Sequence, residues 1–184
     1  MTRSGGSGPQ LPKYAQFERE RRWLVDPAAR PDLGGLPFTL IEDSYLCGTR
    51  MRLRRMTDSV THMITCKLTK KYEAADPLAR PIVTAYLTEA EYAAFLVLPS
   101  CKLTKRRIKL SHSAHVFSLD QFDGALDGLE LLEIESDSSD GLKAIEPPHW
   151  IVAEVSEDSA FQGGSLARRE VAKLAELLRL ASDR

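Results

Sequence analysis

The sequence predicts an α+β fold built mainly from antiparallel β-structure, and three observations predict it. Charged or polar residues alternate with other residues along five segments, the period-two signature of strands. Short breaks rich in Gly, Pro, Asp and Ser separate those segments, as antiparallel neighbours require. Helical apolar periodicity is confined to two stretches, one after Thr88 and one after Ser165.

The 184 residues suffice for one domain with a sizeable core. Residues 1–13, rich in Gly, Ser and Pro, read as a disordered tail, and residues 14–184 as a single domain. With 25 basic and 26 acidic residues the net charge is −1, which argues against a general nucleic-acid binder. The charges are nevertheless segregated. Bases dominate Arg50–Lys71 and Lys102–Lys109, and acids dominate Asp120–Asp140. Cys47, Cys66 and Cys101 are odd in number and widely spaced, which fits packing thiols in a reducing compartment. No run of 18 apolar residues and no apolar leader occurs, so a soluble cytoplasmic protein, a monomer or homodimer with no membrane partner, is expected.

In order, Phe17–Val25 reads as a strand ended by Asp26-Pro27, with Glu18, Glu20 and Arg22 in file on one face. Residues 27–35 have room for a short helix, and Phe38–Leu46 is strand-like. Thr49–Met56 alternates strictly, placing Arg50, Arg52 and Arg54 on one face and Met51 and Leu53 on the other. His62–Lys71 alternates again, with Lys67, Thr69 and Lys71 on one face and Ile64, Cys66 and Leu68 on the other. A loop over 72–82 precedes a short strand at Val83–Leu87. Thr88 and Glu91 form a capping-box pattern that opens a helix to about Val97, burying Tyr92, Phe95 and Leu96. Lys102–Leu110 then puts Lys105, Arg107 and Lys109 on one face, His115–Phe122 carries Asp120, and Leu129–Ser136 puts Glu133 and Glu135 on one face. Ser136–Gly141 reads as an acidic loop and Trp150–Val155 as a short strand. Ser165 caps a final helix over about Leu166–Ala181.

Five strands with charge at alternate positions admit two architectures. One is an open sheet with a solvated, ion-paired face. The other is a closed barrel whose polar face lines a wet lumen and whose apolar outer face lies under helices and loops. In the second case the acids Glu18, Glu20, Asp120, Glu133 and Glu135 are hard oxygen ligands suited to Mg2+ or Mn2+. The guanidinium and ammonium groups of Arg50, Arg52, Arg54, Lys67, Lys105 and Arg107 suit phosphate oxygens.

These segments resemble the CYTH family, the triphosphate tunnel metalloenzymes. The family's ExExK stands here as Glu18-Arg19-Glu20-Arg21-Arg22. Its RxR follows Tyr45-Leu46 as Arg52 and Arg54, its strand lysine matches Lys67, and its KxR matches Lys105-Arg106-Arg107. Asp120-Gln121-Phe122-Asp123-Gly124, Gly128-Leu129, Glu133-Ile134-Glu135, Trp150 and Glu154-Val155-Ser156 continue the pattern in order, over about Phe17–Ala167. The resemblance implies an eight-stranded antiparallel tunnel. It places Glu18, Glu20, Glu133 and Glu135 around a divalent metal, and Arg52, Arg54, Lys67, Lys105 and Arg107 around phosphates. Glu18, Glu20 and Arg22 become the catalytic candidates. Two departures stand out: Ile82 and Thr84 occupy the acidic positions of the family's RxExE, and Arg22 replaces a lysine, so it cannot exchange a proton near neutral pH.

The expected activity is metal-dependent hydrolysis of inorganic triphosphate or a related small triphosphate. The alternatives are a non-catalytic binder of polyphosphate or a nucleotide, motivated by the two missing acids, and an adenylate cyclase of the same family. His62, His112, His115 and His149 lack metal-ligand spacing, and Trp23 and Trp150 read as core anchors.

Overall fold

The computed structural model, which describes residues 12–74, 76 and 78–168, is organised by a strand whose two ends pair differently. That strand is β1 (Gln16–Val25). The others are β2 (Phe38–Leu46), β3 (Met51–Asp58), β4 (Ile64–Lys71), β5 (Ala79–Leu87), β6 (Ser100–His112), β7 (His115–Phe122), β8 (Glu130–Glu135) and β9 (Ile151–Glu154). Three short helices intervene: α1 (Glu89–Phe95), α2 (Ser139–Ala144) and α3 (Gly163–Leu166). The sheet order is β5-β4-β3-β2-β6-β7-β8-β1, and β1 pairs back to β5, so eight antiparallel strands close into a barrel. Along β1, Glu20–Leu24 pairs with β8. Gln16–Arg19 pairs with β5, and Trp23–Val25 pairs with β9. Closure removes the exposed sheet edges that an open arrangement would leave.

The register sorts the side chains. Arg54 faces Lys67 and Arg52 faces Thr69 across β3–β4. Arg107 faces Asp120 across β6–β7, and Glu20 and Arg22 face Glu135 and Glu133 across β1–β8. Residues opposed in register share a face, so the charged rows of neighbouring strands all turn inward. The opposite face is apolar and covered. Trp23, Phe117, Leu119, Leu132 and Ile134 pack with Leu142 of α2, Ile145 and Trp150. Leu53 and Cys66 lie under Tyr92 of α1. A third apolar group is different: Leu24, Leu103, Phe122 and Leu131 continue the inward rows and meet Leu126, Val155, Phe161 and Leu166. They fill one end of the barrel.

The capping box at Thr88 and Glu91 forms as the pattern predicts. Several local expectations are corrected. Residues 27–35 form turns, not a helix. The strand expected from Val83 begins at Ala79, because β1 supplies a partner for Ala79–Ile82. Helix α1 ends at Phe95, leaving Leu96 exposed. The acidic stretch after Ser136 contains α2, capped by Ser138 and held by Arg21, whose Nη1 donates to the carbonyls of Leu142 and Ile145 at 3.1 and 2.7 Å. Ser165 lies inside α3, and Gln162 occupies the cap position. The rest of the expected final helix and residues 1–11 of the tail lie outside the described residues. Cys47, Cys66 and Cys101 are free thiols. No helix among the described residues is long and apolar enough to cross a membrane.

Trp23 is fully buried between Phe117, whose ring it meets edge-on at 6.1 Å, and the Arg21 guanidinium at 4.7 Å. Trp23→Ala is expected to lower unfolding stability by about 3–5 kcal/mol. Phe17→Ala, on the same face but at an exposed position, is expected to change it by less than about 1 kcal/mol. Urea denaturation of the two variants checks the contrast.

Candidate active site

Above the apolar floor, the barrel lumen holds a connected set of ion pairs. Glu133 lies at its centre. One carboxylate oxygen accepts from Arg22 Nε at 2.7 Å, and the other pairs with Arg107. Arg22 also donates from Nη2 to Glu20 at 2.9 Å and from Nη1 to the Phe161 carbonyl at 2.9 Å. Arg107 donates to both oxygens of Asp120 at 2.6 Å, and Lys105 pairs with the same carboxylate. On the other wall, Asp43 of β2 receives a two-pronged contact from Arg54 at 2.6 and 2.7 Å, with Arg52 Nε at 3.6 Å. Lys71 of β4 pairs with Glu18 of β1 over the intervening β5.

The electrostatics follow from burial set against neighbours. Burial alone would raise the Glu133 carboxyl, but Arg22, Arg107 and Lys105 hold it well below the ordinary carboxylate range. Asp43 is likewise held low by Arg54 and Arg52 against its burial, and Glu18 by Lys71. Burial lowers Lys105 despite Asp120. Tyr45 is pushed up to about 12, by burial and by the Asp43 charge. Glu135 differs from the other acids: it enters no ion pair among the described residues, and burial and then the charges of Glu18 and Glu20 raise it.

The structure brings Glu18, Glu20, Arg22, Arg52, Arg54, Lys105, Arg107, Glu133 and Glu135 to one cavity. Asp120 is fully buried beneath Arg107 and Lys105 and does not line that cavity. Lys67 shares the inward face but sits outside the cavity, its ammonium 4.9 Å from the exposed Tyr86 ring. Lys71, two repeats of the period-two pattern farther along, reaches the lumen instead. Arg50 precedes β3 and forms an exposed pair with Glu73. Sequence reasoning missed Asp43, Tyr45 and Lys71 as site residues. The alternation that found Lys67 applied equally to Lys71, whereas Asp43 stands on a strand with no charge pattern.

Four carboxylates, Glu18, Glu20, Glu133 and Glu135, are the oxygen donors on hand for a hard cation. Among the described residues no three His, Cys, Asp or Glu side chains stand together as a ready cage. Lys71 draws Glu18 aside, and Arg22 draws Glu20 and Glu133. All four line the same cavity, and the charges of Glu18 and Glu20 raise Glu135, so the residues fit a hard cation in donor type, although Glu18, Glu20 and Glu133 are each held by a basic partner. Arg52 Nε is the buried side-chain polar atom without a hydrogen-bond partner among the described residues. A further anionic oxygen would satisfy it.

No protein-family model matches the chain. A 52-residue stretch is 42% identical to an inorganic triphosphatase of Nitrosomonas europaea, covering 28% of this chain and about a third (34%) of that relative. Two crystal structures of the protein NE1496, one described as a hypothetical protein and one as an inorganic triphosphatase, share the fold. Their TM-scores are 0.55 and 0.54 and their identities 24% and 23%, with 83% of this chain covered in each case and 99% and 95% of theirs.

Depressed carboxyls contribute stability above their unfolded pKa and lose it as pH falls through the folded value. Glu133, Asp43 and Glu18 are all held below the ordinary carboxylate range, so the melting temperature is expected to fall steeply below about pH 4.5. Glu133→Gln, which leaves Arg22 and Arg107 short of a buried partner, is expected to cost about 3–5 kcal/mol near neutral pH and to flatten that acid slope. Melting curves between neutral and acid pH check both statements.

Proposed function

We propose that this chain, whose closed eight-stranded barrel is a CYTH-type tunnel domain, is a triphosphatase. In this reading it hydrolyses the terminal phosphoanhydride of inorganic triphosphate or a related small triphosphate, assisted by Mg2+ or Mn2+. The observation that carries the reading is the lumen's charge. Among the described residues, four carboxylates (Glu18, Glu20, Glu133, Glu135) and six cations (Arg22, Arg52, Arg54, Lys71, Lys105, Arg107) line the lumen, and buried Asp43 and Asp120, paired with Arg54, Lys105 and Arg107, bring the set to balance. An empty lumen is neutral. A triphosphate brings several negative charges into a buried space and therefore calls for positive charge to enter with it. A divalent ion meets that need on the acid side, while arginine and lysine donors take the phosphate oxygens on the other.

Each residue then has a role. Arg52, with its unpartnered Nε, and Lys71, once freed from Glu18, grip phosphoryl oxygens. Arg107 and Lys105 do so from β6. Arg54 remains on Asp43 and fixes that wall. Glu18, Glu20 and Glu135, with Glu133 behind them, would hold the cation, which when bound supplies Lewis-acid charge to the phosphoryl group. Arg22 keeps its proton, so it positions Glu20 and Glu133 and does not shuttle protons. Water attacks the terminal phosphorus, the bridging bond breaks, and its electron pair leaves with pyrophosphate.

A binding-only reading is favoured by one feature: Ile82 and Thr84 offer no carboxylate, and the Thr84 hydroxyl is engaged with Thr69 at 3.0 Å. The two readings differ in turnover. Purified protein with tripolyphosphate and Mg2+ or Mn2+ is expected to release phosphate, with Glu20→Gln and Glu135→Gln each reducing kcat/KM by about 10²-fold or more. Thermal stabilisation by tripolyphosphate without phosphate release, across metals and pH, would favour the binder.

A further inference from the structure

Beside the lumen, where α3 lies, a second cavity of about 360 Å3 opens to the surface. It shares Glu20, Arg22, Tyr45, Arg52 and Lys71 with the lumen, so the two spaces adjoin. Their charge differs: by the described residues that line them, the lumen has six cations and four carboxylates, with buried Asp43 and Asp120 behind, whereas the antechamber has six cations, Arg22, Arg50, Arg52, Lys71, Arg80 and Arg168, against two carboxylates, Glu20 and Glu73.

The cations are graded. Arg54, Arg52 and Arg50 stand in file at alternate positions, about 7 Å apart along the chain, and their side chains are 11%, 14% and 54% exposed. Neutralisation fades along the same file. Arg54 is doubly bonded to Asp43, and Arg52 stands 3.6 Å from it with Nε unpartnered. Arg50 meets Glu73, a carboxylate 79% exposed, in a pair that solvent screens. From the facing wall, Arg80 Nη1 is held by the Gln162 side-chain oxygen at 2.9 Å and Arg168 Nη1 by the Gly164 carbonyl at 2.8 Å. Both partners are neutral, and neither guanidinium enters a salt bridge among the described residues.

We propose that the antechamber binds the phosphoryl units that a linear polyphosphate longer than triphosphate carries beyond those held in the lumen. This rests on the triphosphate reading of the lumen and adds a chain-length preference to it. An excess of fixed positive charge continuing outward from the lumen suits a repeating anion. An uncharged organic group would leave those cations facing it unpaired.

The test is isothermal titration calorimetry on the full-length Glu135→Gln protein, in which slow turnover permits titration, with tripolyphosphate, tetrapolyphosphate and ATP in Mg2+. Tetrapolyphosphate is expected to bind about ten-fold tighter than tripolyphosphate. Adding Arg168→Ala is expected to bring that ratio to within about three-fold of unity. Adding Glu73→Gln, which frees Arg50, is expected to widen it. Retained tripolyphosphate binding in each double variant shows that it folds. Equal affinity for the two polyphosphates, or a ratio that neither substitution moves, overturns the proposal. So does ATP binding about ten-fold tighter than tripolyphosphate while tetrapolyphosphate does not. Failure of the wild-type protein to bind tripolyphosphate at all overturns the triphosphate reading itself, a separate result.

Discussion

The Glu133 carboxylate, wedged between Arg22 and Arg107, is the contact on which the barrel's interior depends. A buried charge costs several kcal/mol unless its partners are close and well aimed. Here each partner is itself held by a second group, so the penalty is shared through a network. Arg22 passes from Glu133 to Glu20 and to the Phe161 carbonyl. That one guanidinium joins β1, β8 and the segment entering α3. Arg107 passes from Glu133 to Asp120, where Lys105 joins it. Strand β1 must hold β8 along one edge and β5 along the other to close the barrel, and the Arg22–Glu133 pair fastens the first of those contacts from inside.

Polar walls need a dry floor to be effective. At one end the inward rows change from ionic to apolar, and Leu24, Leu103, Phe122 and Leu131 pack against Val155, Phe161 and Leu166. Gly163 permits this close fit, because a Cβ there would lie 2.0 Å from the Tyr45 hydroxyl oxygen. The α3 segment therefore seats directly on Tyr45, which adjoins Arg52 and Asp43. Charges bordered by such a floor interact more strongly than the same charges in water. This is why Lys105 is lowered even beside Asp120, and why Glu135 responds to Glu18 and Glu20.

Much of this was legible in the sequence, for a definite reason. Period-two alternation reports directly which side chains share a face, so the inward rows of β1, β3, β6 and β8 could be read residue by residue. The capping box reported the start of α1. What escaped were features set by tertiary contact. Helix α2 has six residues and is held through its carbonyls by Arg21, so its own sequence reads as an acidic loop. Lys67 and Lys71 are equivalent by alternation. Only the closure of β5 onto β1, which brings Glu18 beside Lys71, separates them. Asp43 stands on a strand without a charged row, yet it anchors two arginines. The Phe161 carbonyl and the Gln162 amide oxygen enter through backbone geometry and a neutral side chain, for which composition carries no signal.

The departures at Ile82 and Thr84 acquire a physical meaning in the barrel. Ile82 lies opposite Lys71 in register and gives it no partner, so Lys71 turns to Glu18. Without acids on β5, the four carboxylates that line the cavity all come from β1 and β8, which are neighbours. The cations of β3, β4 and β6 lie on the remaining wall, with β3 across the ring from β1 and β8. The lumen is thus polarised, acidic on one flank and basic on the other. Under the proposed triphosphatase activity, a cation would lie toward β1 and β8 and the phosphate oxygens toward Arg52 and Lys71. Added carboxylates on β5 would have blurred that polarity and strengthened the hold on Lys71. With none there, Glu18 is the acid that Lys71 pairs with among the described residues, and under the proposed activity that pair would have to open for Lys71 to reach a phosphate.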